Sequence, residues 1–237
     1  MGGGWHTSPD IANVTDALAS RRQRSFTHDE ETLMIPGAFT KRLLIGASAA
    51  ALLSTNLLAQ GGNAGAQRTP PMVLTITGWA DGTQIPAKFT QAGEQVSPEL
   101  KWSNAPAGTQ SFVVNMLDPD VAVMRGTETQ PHWIVWNIPA TSTGLPEAMK
   151  PGAEQPDGTR QISASGPQYR GPGAPATGPL HHYTFEVYAL DTKVDVSAST
   201  ATPAINAALA TRAAVMKSMQ GHVLGKAVYV GLFRRPQ

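Results

Sequence analysis

Two segments of the chain carry the residue types best suited to chemistry. One runs Asp118-Pro119-Asp120 and continues to Pro131-His132-Trp133; the other runs Gly171-Pro172-Gly173-Ala174-Pro175 and continues to His181-His182-Tyr183. In each, a Pro/Gly-rich turn leads into a strand that opens with histidine. Together they can bring two imidazoles, a carboxylate and a phenol to one end of a sheet. A carboxylate such as Asp118 can accept one imidazole N–H and fix its tautomer. The other ring nitrogen, when protonated, and the Tyr183 hydroxyl can donate to the oxygens of an anion. Asp120 is expected to brace its own turn through backbone hydrogen bonds. A histidine or aspartate at a strand end also serves as a satisfied polar cap or a solvated side chain, and spacing alone leaves both readings open.

Period-two alternation supplies the elements that must position these groups. Residues 111–117 (SFVVNML), 132–138 (HWIVWNI), 182–190 (HYTFEVYAL) and 227–233 (AVYVGLF) read as strong strands, and 73–77 (VLTIT) as a first strand. Residues 85–89 read as a second short strand, and Ser97-Pro98-Glu99-Leu100-Lys101-Trp102 as extended chain. Alternation predicts three rows: Phe112, Val114, Met116, Asp118; His132, Ile134, Trp136, Ile138; and His181, Tyr183, Phe185, Val187. Each row ends in a polar group, so a small pocket is expected at the rim of the core they share. No arginine lies in these rows, and a modest, pH-sensitive anion affinity follows. One helix is expected after Thr202, as its cap, and Pro203, with an apolar stripe of Ile205, Leu209, Ala213, Met216 and Met219/Gln220 and a stop at Gly221. His222, just beyond, is read as a C-terminal cap. Short strands, Gly/Pro turns and one late helix argue for an all-β domain of the sandwich type.

Other functions are disfavoured by composition. With 18 Lys+Arg against 17 Asp+Glu there is no basic excess to call for nucleic acid. The chain has no cysteine, so disulfides, thiolate nucleophiles and Cys-based zinc sites are excluded. No Gly-x-Ser-x-Gly elbow is present, and Ser163 and Ser165 have no evident activating partner. Asp118, His132 and His181 resemble a two-histidine, one-carboxylate metal set, but there is no His-Glu-x-x-His helix, and an anion is preferred to a metal. No cofactor is expected.

The N-terminus speaks to the compartment. Residues 43–59 form an uncharged, Leu/Ala-rich run preceded by Lys41-Arg42 and followed by Ala64-Gly65-Ala66, a small-x-small cleavage pattern. Residues 1–66 are read as an extension plus secretory signal, cleaved between Ala66 and Gln67, and residues 67–237 as one domain. An uncleaved membrane anchor is the alternative. Met34 is a candidate true start, because the polar residues before it are foreign to a signal. The protein is expected to be exported, to the periplasm or beyond.

The ordered motifs resemble those of the phosphatidylethanolamine-binding proteins, also called Raf kinase inhibitor-like proteins, and most closely their bacterial exported branch. The resemblance runs from about Val73 to Arg234. It rests on Ser97-Pro98-Glu99-Leu100-Lys101-Trp102, Ala105-Pro106-Ala107-Gly108-Thr109, Asp118-Pro119-Asp120, His132-Trp133-Ile134-Val135-Trp136-Asn137-Ile138-Pro139, residues 171–183, Tyr188-Ala189-Leu190-Asp191 and Gly221-His222-Val223-Leu224. It implies a β-sandwich with a Greek-key large sheet, a smaller sheet and a short C-terminal helix, with an anion pocket at the sheet edge. Carried over by motif, Asp118, His132, His181 and Tyr183 match pocket residues, Ala174-Pro175 matches a lining dipeptide that is often Pro-Pro, and Pro119 and Asp120 shape the site. Two departures stand out. Asp118-Pro119-Asp120-Val121-Ala122 replaces the usual Asp-Pro-Asp-Ala-Pro, loosening one wall. His181-His182-Tyr183 replaces His-Arg-Tyr, with His182 facing away from the pocket and a structural ion pair expected to be lost. The resemblance implies non-enzymatic binding of a phosphate or phospholipid head group such as phosphoethanolamine, and membrane-surface contact through such head groups. The alternative it implies is an inhibitor or interaction protein acting on a protease, kinase or envelope partner.

Overall fold

Phe112, Val114 and Met116 point to one core and Val113 to another, so the strand Ser111–Ala122 is buried on both faces. The structure, a computed structural model, describes residues 70–237. The expected signal segment and the Ala66–Gln67 cleavage point lie outside the described residues. Among the described residues no helix is long and apolar enough to cross a membrane.

The elements run β1 (Val73–Ile76), β2 (Thr83–Gln84), β3 (Leu100–Ser103), β4 (Ser111–Ala122), β5 (Thr129–Pro139), β6 (Gly144–Leu145), β7 (Arg160–Ile162), β8 (His181–Leu190), α1 (Ala204–Ser218) and β9 (Val223–Phe233). A small sheet has the order β1-β3-β6, and a six-stranded sheet the order β2-β9-β8-β4-β5-β7. Within the large sheet β4, β5 and β7 pair antiparallel in succession and β8 returns beside β4, which is the Greek-key order. The fold is therefore the all-β sandwich that the strand pattern implies. Leu74, Ile76, Leu100, Trp102 and Leu145 of the small sheet bury against Phe112, Trp133, Phe185 and Tyr229 of the large one. On the far face Val113, Ile134, Trp136 and Leu190 pack against Ala207, Val215 and Met219 of α1 and its C-terminal end.

Several local expectations change. Residues 85–89 are not a strand. Ile85 still donates its N–H to Leu232 O at 2.8 Å, but Pro86 has no N–H to continue the ladder, and Ala87–Phe89 form a single 3-10 turn. The buried stripe of α1 is Ala207, Ala208, Thr211 and Val215, not Ile205, Leu209, Ala213 and Met216; of the expected stripe only Met219, at the C-terminal end, is buried. Small residues let the helix lie close to the sheet, so the bulkier side chains sit at its flanks. Thr202 provides no side-chain cap; the helix starts after Pro203. His222 does not cap α1 with its ring, which instead donates from Nδ1 to Asp191 Oδ1 at 2.8 Å.

The row His132, Ile134, Trp136, Ile138 is also broken, and this matters for the site. Met116 faces Trp133 while Leu117 faces Pro131, so His132 is an extra residue in β5. A second extra residue falls between the pairs Phe112–Ile138 and Val114–Val135, beside Asn137 with φ 56°. Each bulge turns the strand over. Trp133, Val135 and Ile138 thus share the inter-sheet core, and Ile134 and Trp136 face α1. His132, which strict alternation would send towards α1 with Ile134, turns to the Tyr183 side.

Candidate anion-binding pocket

The pocket lies where β4, β5 and β8 end against the loop that carries Arg170 and residues 171–175. Tyr169 anchors that loop: its hydroxyl donates to Phe89 O at 2.9 Å and its ring meets Trp133 edge-on at 5.4 Å. Gln91 donates from Nε2 to Gly171 O at 2.8 Å, and Arg235 N–H donates to Ala174 O at 3.1 Å. A cavity of about 190 Å³ results, lined by Asp118, His132, Ala174, Pro175, His181 and Tyr183 together with Gln91, Val121, Gln130, Arg170 and Gly173. All six residues expected to line a pocket are brought together. Pro119 and Asp120 stay outside it.

Each polar group has a defined role. Asp118, 2 % exposed, accepts the His181 Nδ1–H on Oδ2 at 2.9 Å and the Asp120 backbone N–H on Oδ1 at 3.1 Å. The second imidazole is held differently. His132 donates its Nδ1–H to Arg170 O at 3.0 Å, and Arg170 N–H donates back to His132 O at 3.2 Å. The carbonyl acceptor fixes the Nδ1–H tautomer and leaves the lone pair on Nε2. Burial pushes the His132 pKa down from 6.5 to about 4, against the opposing pull of the Arg170 carbonyl and the Asp118 charge. His132 is therefore a neutral acceptor near pH 7, not a cationic donor.

Tyr183 stands between the imidazoles, edge-on to His132 at 5.1 Å and stacked on His181 at 6.5 Å. Its oxygen accepts the N–H groups of Gly173 (3.2 Å) and Ala174 (3.1 Å). Burial and then the Asp118 charge push its pKa above the ordinary phenol value, so it keeps its proton.

Asp120 does not brace its own turn. Its Oδ2 accepts the His182 backbone N–H at 2.6 Å and the His182 Nδ1–H at 3.0 Å, clamping the start of β8. Those bonds hold its carboxyl below the usual range although partial burial opposes them. Where the family pattern has arginine, His182 makes a hydrogen-bonded pair with Asp120. Asp118, Asp120 and His181 offer ligand atoms within 4.8 Å of one another, so the metal-like grouping among the described residues uses Asp120 and not His132.

Arg170 is the main residue missing from the sequence reading. It sits in a loop with no periodicity, next to Gly171, and only its neighbour Tyr169 carries an obvious packing signal. A larger cavity of about 550 Å³ lies by β6, lined among others by Ile138, Leu145, Met149 and Thr159. Its lining holds no histidine or tyrosine, so chemistry and not size selects the smaller pocket.

The phosphatidylethanolamine-binding protein family model matches residues 75–234. The chain belongs to the phosphatidylethanolamine-binding protein family. A UPF0098 protein of Methanothermobacter thermautotrophicus is 37% identical over 166 residues, which cover 69% of this chain and 99% of the relative. Among solved structures, a Chlamydia trachomatis protein described as a putative phosphatidylethanolamine-binding protein homologue aligns with TM-score 0.57 and 26% identity, covering 70% of this chain and 98% of that one. Escherichia coli YbcL, described as a new member of the mammalian family, aligns with TM-score 0.55 and 28% identity over 70% of this chain and 99% of its own. Family membership agrees with the two-sheet architecture and supports ligand binding in general terms.

Proposed function

We propose that this family member is a non-enzymatic binding protein whose Asp118/His132/His181/Tyr183 pocket takes a small phosphorylated or anionic ligand, a phosphate or a phospholipid head group such as phosphoethanolamine. The observation that carries the reading is the convergence of two tautomer-fixed imidazoles and a protonated phenol on one small cavity that Arg170 also lines. At about 190 Å³ it suits a head group and not an acyl chain. Binding is favoured over turnover because the nearby hydroxyls are spent on the loop. Ser163 Oγ donates to Gly166 O at 3.3 Å, and Ser165 Oγ accepts from Arg170 Nη1 at 2.8 Å. Neither has a base beside it.

Calorimetric titration of the full chain with O-phosphoethanolamine, beside His132→Ala and His181→Ala, tests the site. Binding by the parent protein that is lost in both folded variants is expected; unchanged affinity in both rejects the pocket. We also propose export through the N-terminal segment. N-terminal sequencing of the secreted or periplasmic form should begin at or near Gln67, and recovery of residues 1–30 in that form would reject this.

A further inference from the structure

Three exposed apolar side chains gather where the chain enters the sandwich. Val73 and Val223 are 45% exposed and Leu224 is 39% exposed. Packing joins them. A Cβ on Gly225 would stand 2.9 Å from Met72 Sδ and 2.9 Å from Pro106 Cγ, and a Cβ on Gly108 would stand 3.9 Å from Leu224 Cδ1. Val73 follows Met72, and Val223 and Leu224 precede Gly225, so all three flank one contact between β1, β9 and the turn at 104–109. Asn104 Nδ2 donates to Pro71 O at 3.0 Å and fixes the point of entry. Residues 70–77 and 102–117 carry no charged side chain. The charges that flank the patch on β8 and β9 are paired, His222 with Asp191 and Lys226 with Glu186. A contiguous, uncharged apolar patch on a surface marks a place of contact.

The length of chain upstream points to the occupant. Residues 43–59 are the uncharged Leu/Ala-rich run, and ten residues, 60–69, join it to Pro70 beside the patch. Ten residues reach at most about 33–36 Å. A coil of ten residues averages about 17 Å. The anion pocket lies at the other end of the sandwich: β9 runs from Val223, opposite Leu190, to Phe233, opposite His181. Ten steps of strand set those ends about 30 Å apart. A bilayer that holds residues 43–59 is met by the patch well within the reach of the connection, and by the pocket only at its limit.

We propose that, in the chain that still carries residues 43–59, the Val73/Val223/Leu224 end of the sandwich is a lipid-docking surface that lies on the bilayer and turns the anion pocket towards the water. The three side chains leave water for the boundary between head groups and acyl chains, where apolar area is favoured. The pocket then meets ligands that arrive through solution, and not the head groups of the bilayer that holds the chain. Cleavage before Gln67 removes the tether and with it the docking. The inference goes beyond the proposed binding function and does not depend on which anion the pocket takes.

The chain has no cysteine, so a single one can carry a fluorophore. The full chain is labelled at Leu224→Cys, at Val73→Cys or, as the comparison at the pocket end, at Leu180→Cys, which is 41% exposed and precedes His181. Each protein is reconstituted into phosphatidylcholine vesicles with and without brominated lipid. Bromine should quench the labels at 224 and 73 about threefold more than the label at 180. Adding Val223→Asp and Leu224→Asp should remove most of the quenching at 73, which a tether without docking would not cause. Equal quenching at 224 and 180 overturns the inference, because the domain then tumbles on its tether. Stronger quenching at 180 overturns it too, because the pocket end then faces the lipid. So does a label at 224 that is shielded from water yet blind to bromine, which is the mark of a second copy or another protein on the patch. Failure of the full chain to stay with the vesicles overturns it as well. None of these results alters the outcome of the O-phosphoethanolamine titration, so the two readings stand or fall separately.

Discussion

Asp118 holds His181 Nδ1 with one carboxylate oxygen, at 2.9 Å, and the Asp120 N–H with the other, at 3.1 Å. One side chain thus sets an imidazole tautomer and shapes the turn. Asp118→Asn has a single amide oxygen for two donors and no charge. Ligand affinity should fall about tenfold or more, with a lower melting temperature. Titration calorimetry and thermal unfolding check this; an affinity within about twofold of the parent protein would refute the role of the carboxylate.

His132 predicts a pH dependence of stability. Its folded pKa of about 4 lies below its ordinary value of 6.5, so between these values the unfolded chain binds more protons than the folded one. Its contribution is complete above pH 6.5 and is lost as pH falls towards 4. The slope is at most about 1.4 kcal/mol per pH unit. Urea unfolding at several pH values should show a shallower acid loss in His132→Gln than in the parent protein.

Tyr183→Phe removes the acceptor of two backbone N–H groups, those of Gly173 and Ala174. A cost of about 1–3 kcal/mol in unfolding free energy is expected, with weaker ligand binding as residues 173–174 come loose. A change below about 0.5 kcal/mol would show that the loop finds other acceptors.

Two glycines of the same loop should respond differently to alanine. A Cβ on Gly171 would stand 2.6 Å from Phe89 O and 2.9 Å from Thr90 Cα, backbone atoms that cannot step aside. Gly171→Ala should destabilise by about 1–3 kcal/mol. A Cβ on Gly173 would meet only the end of the Gln91 side chain, at 2.4 Å. That end can swing away, so Gly173→Ala should keep its melting temperature while altering affinity. Thermal unfolding and titration of both variants separate the two outcomes.

Most of the architecture could be read from the chain because β8 and β9 alternate over a sandwich core and β4 carries apolar residues on both faces. Asp118, His181 and Tyr183 followed from that alternation. His132 reaches the pocket for a different reason: the bulge that turns it lies in the pairing register, and a register is a property of two strands. The helix stripe was misplaced because α1 packs through alanine and threonine, whose burial is set by closeness to the sheet and not by hydrophobicity. Arg170 has no periodic signature, and its relation to His132 exists only once the loop folds over β5.

No two-strand fragment of this protein contains the pocket. Its wall takes Gln91 from an early loop, Asp118 from β4, His132 from β5, Gly173–Pro175 from a late loop and His181 from β8, and Arg235 near the C-terminus fastens that loop at Ala174. Any bound ligand therefore discriminates between the folded chain and every partly unfolded form, and its binding free energy adds to the stability of the whole domain at once. At one hundred times its dissociation constant such a ligand contributes about 2.7 kcal/mol. The pocket is also a sensor of its own assembly, and a thermal-shift screen of small anions reads binding anywhere in it as cooperative melting of the entire sandwich.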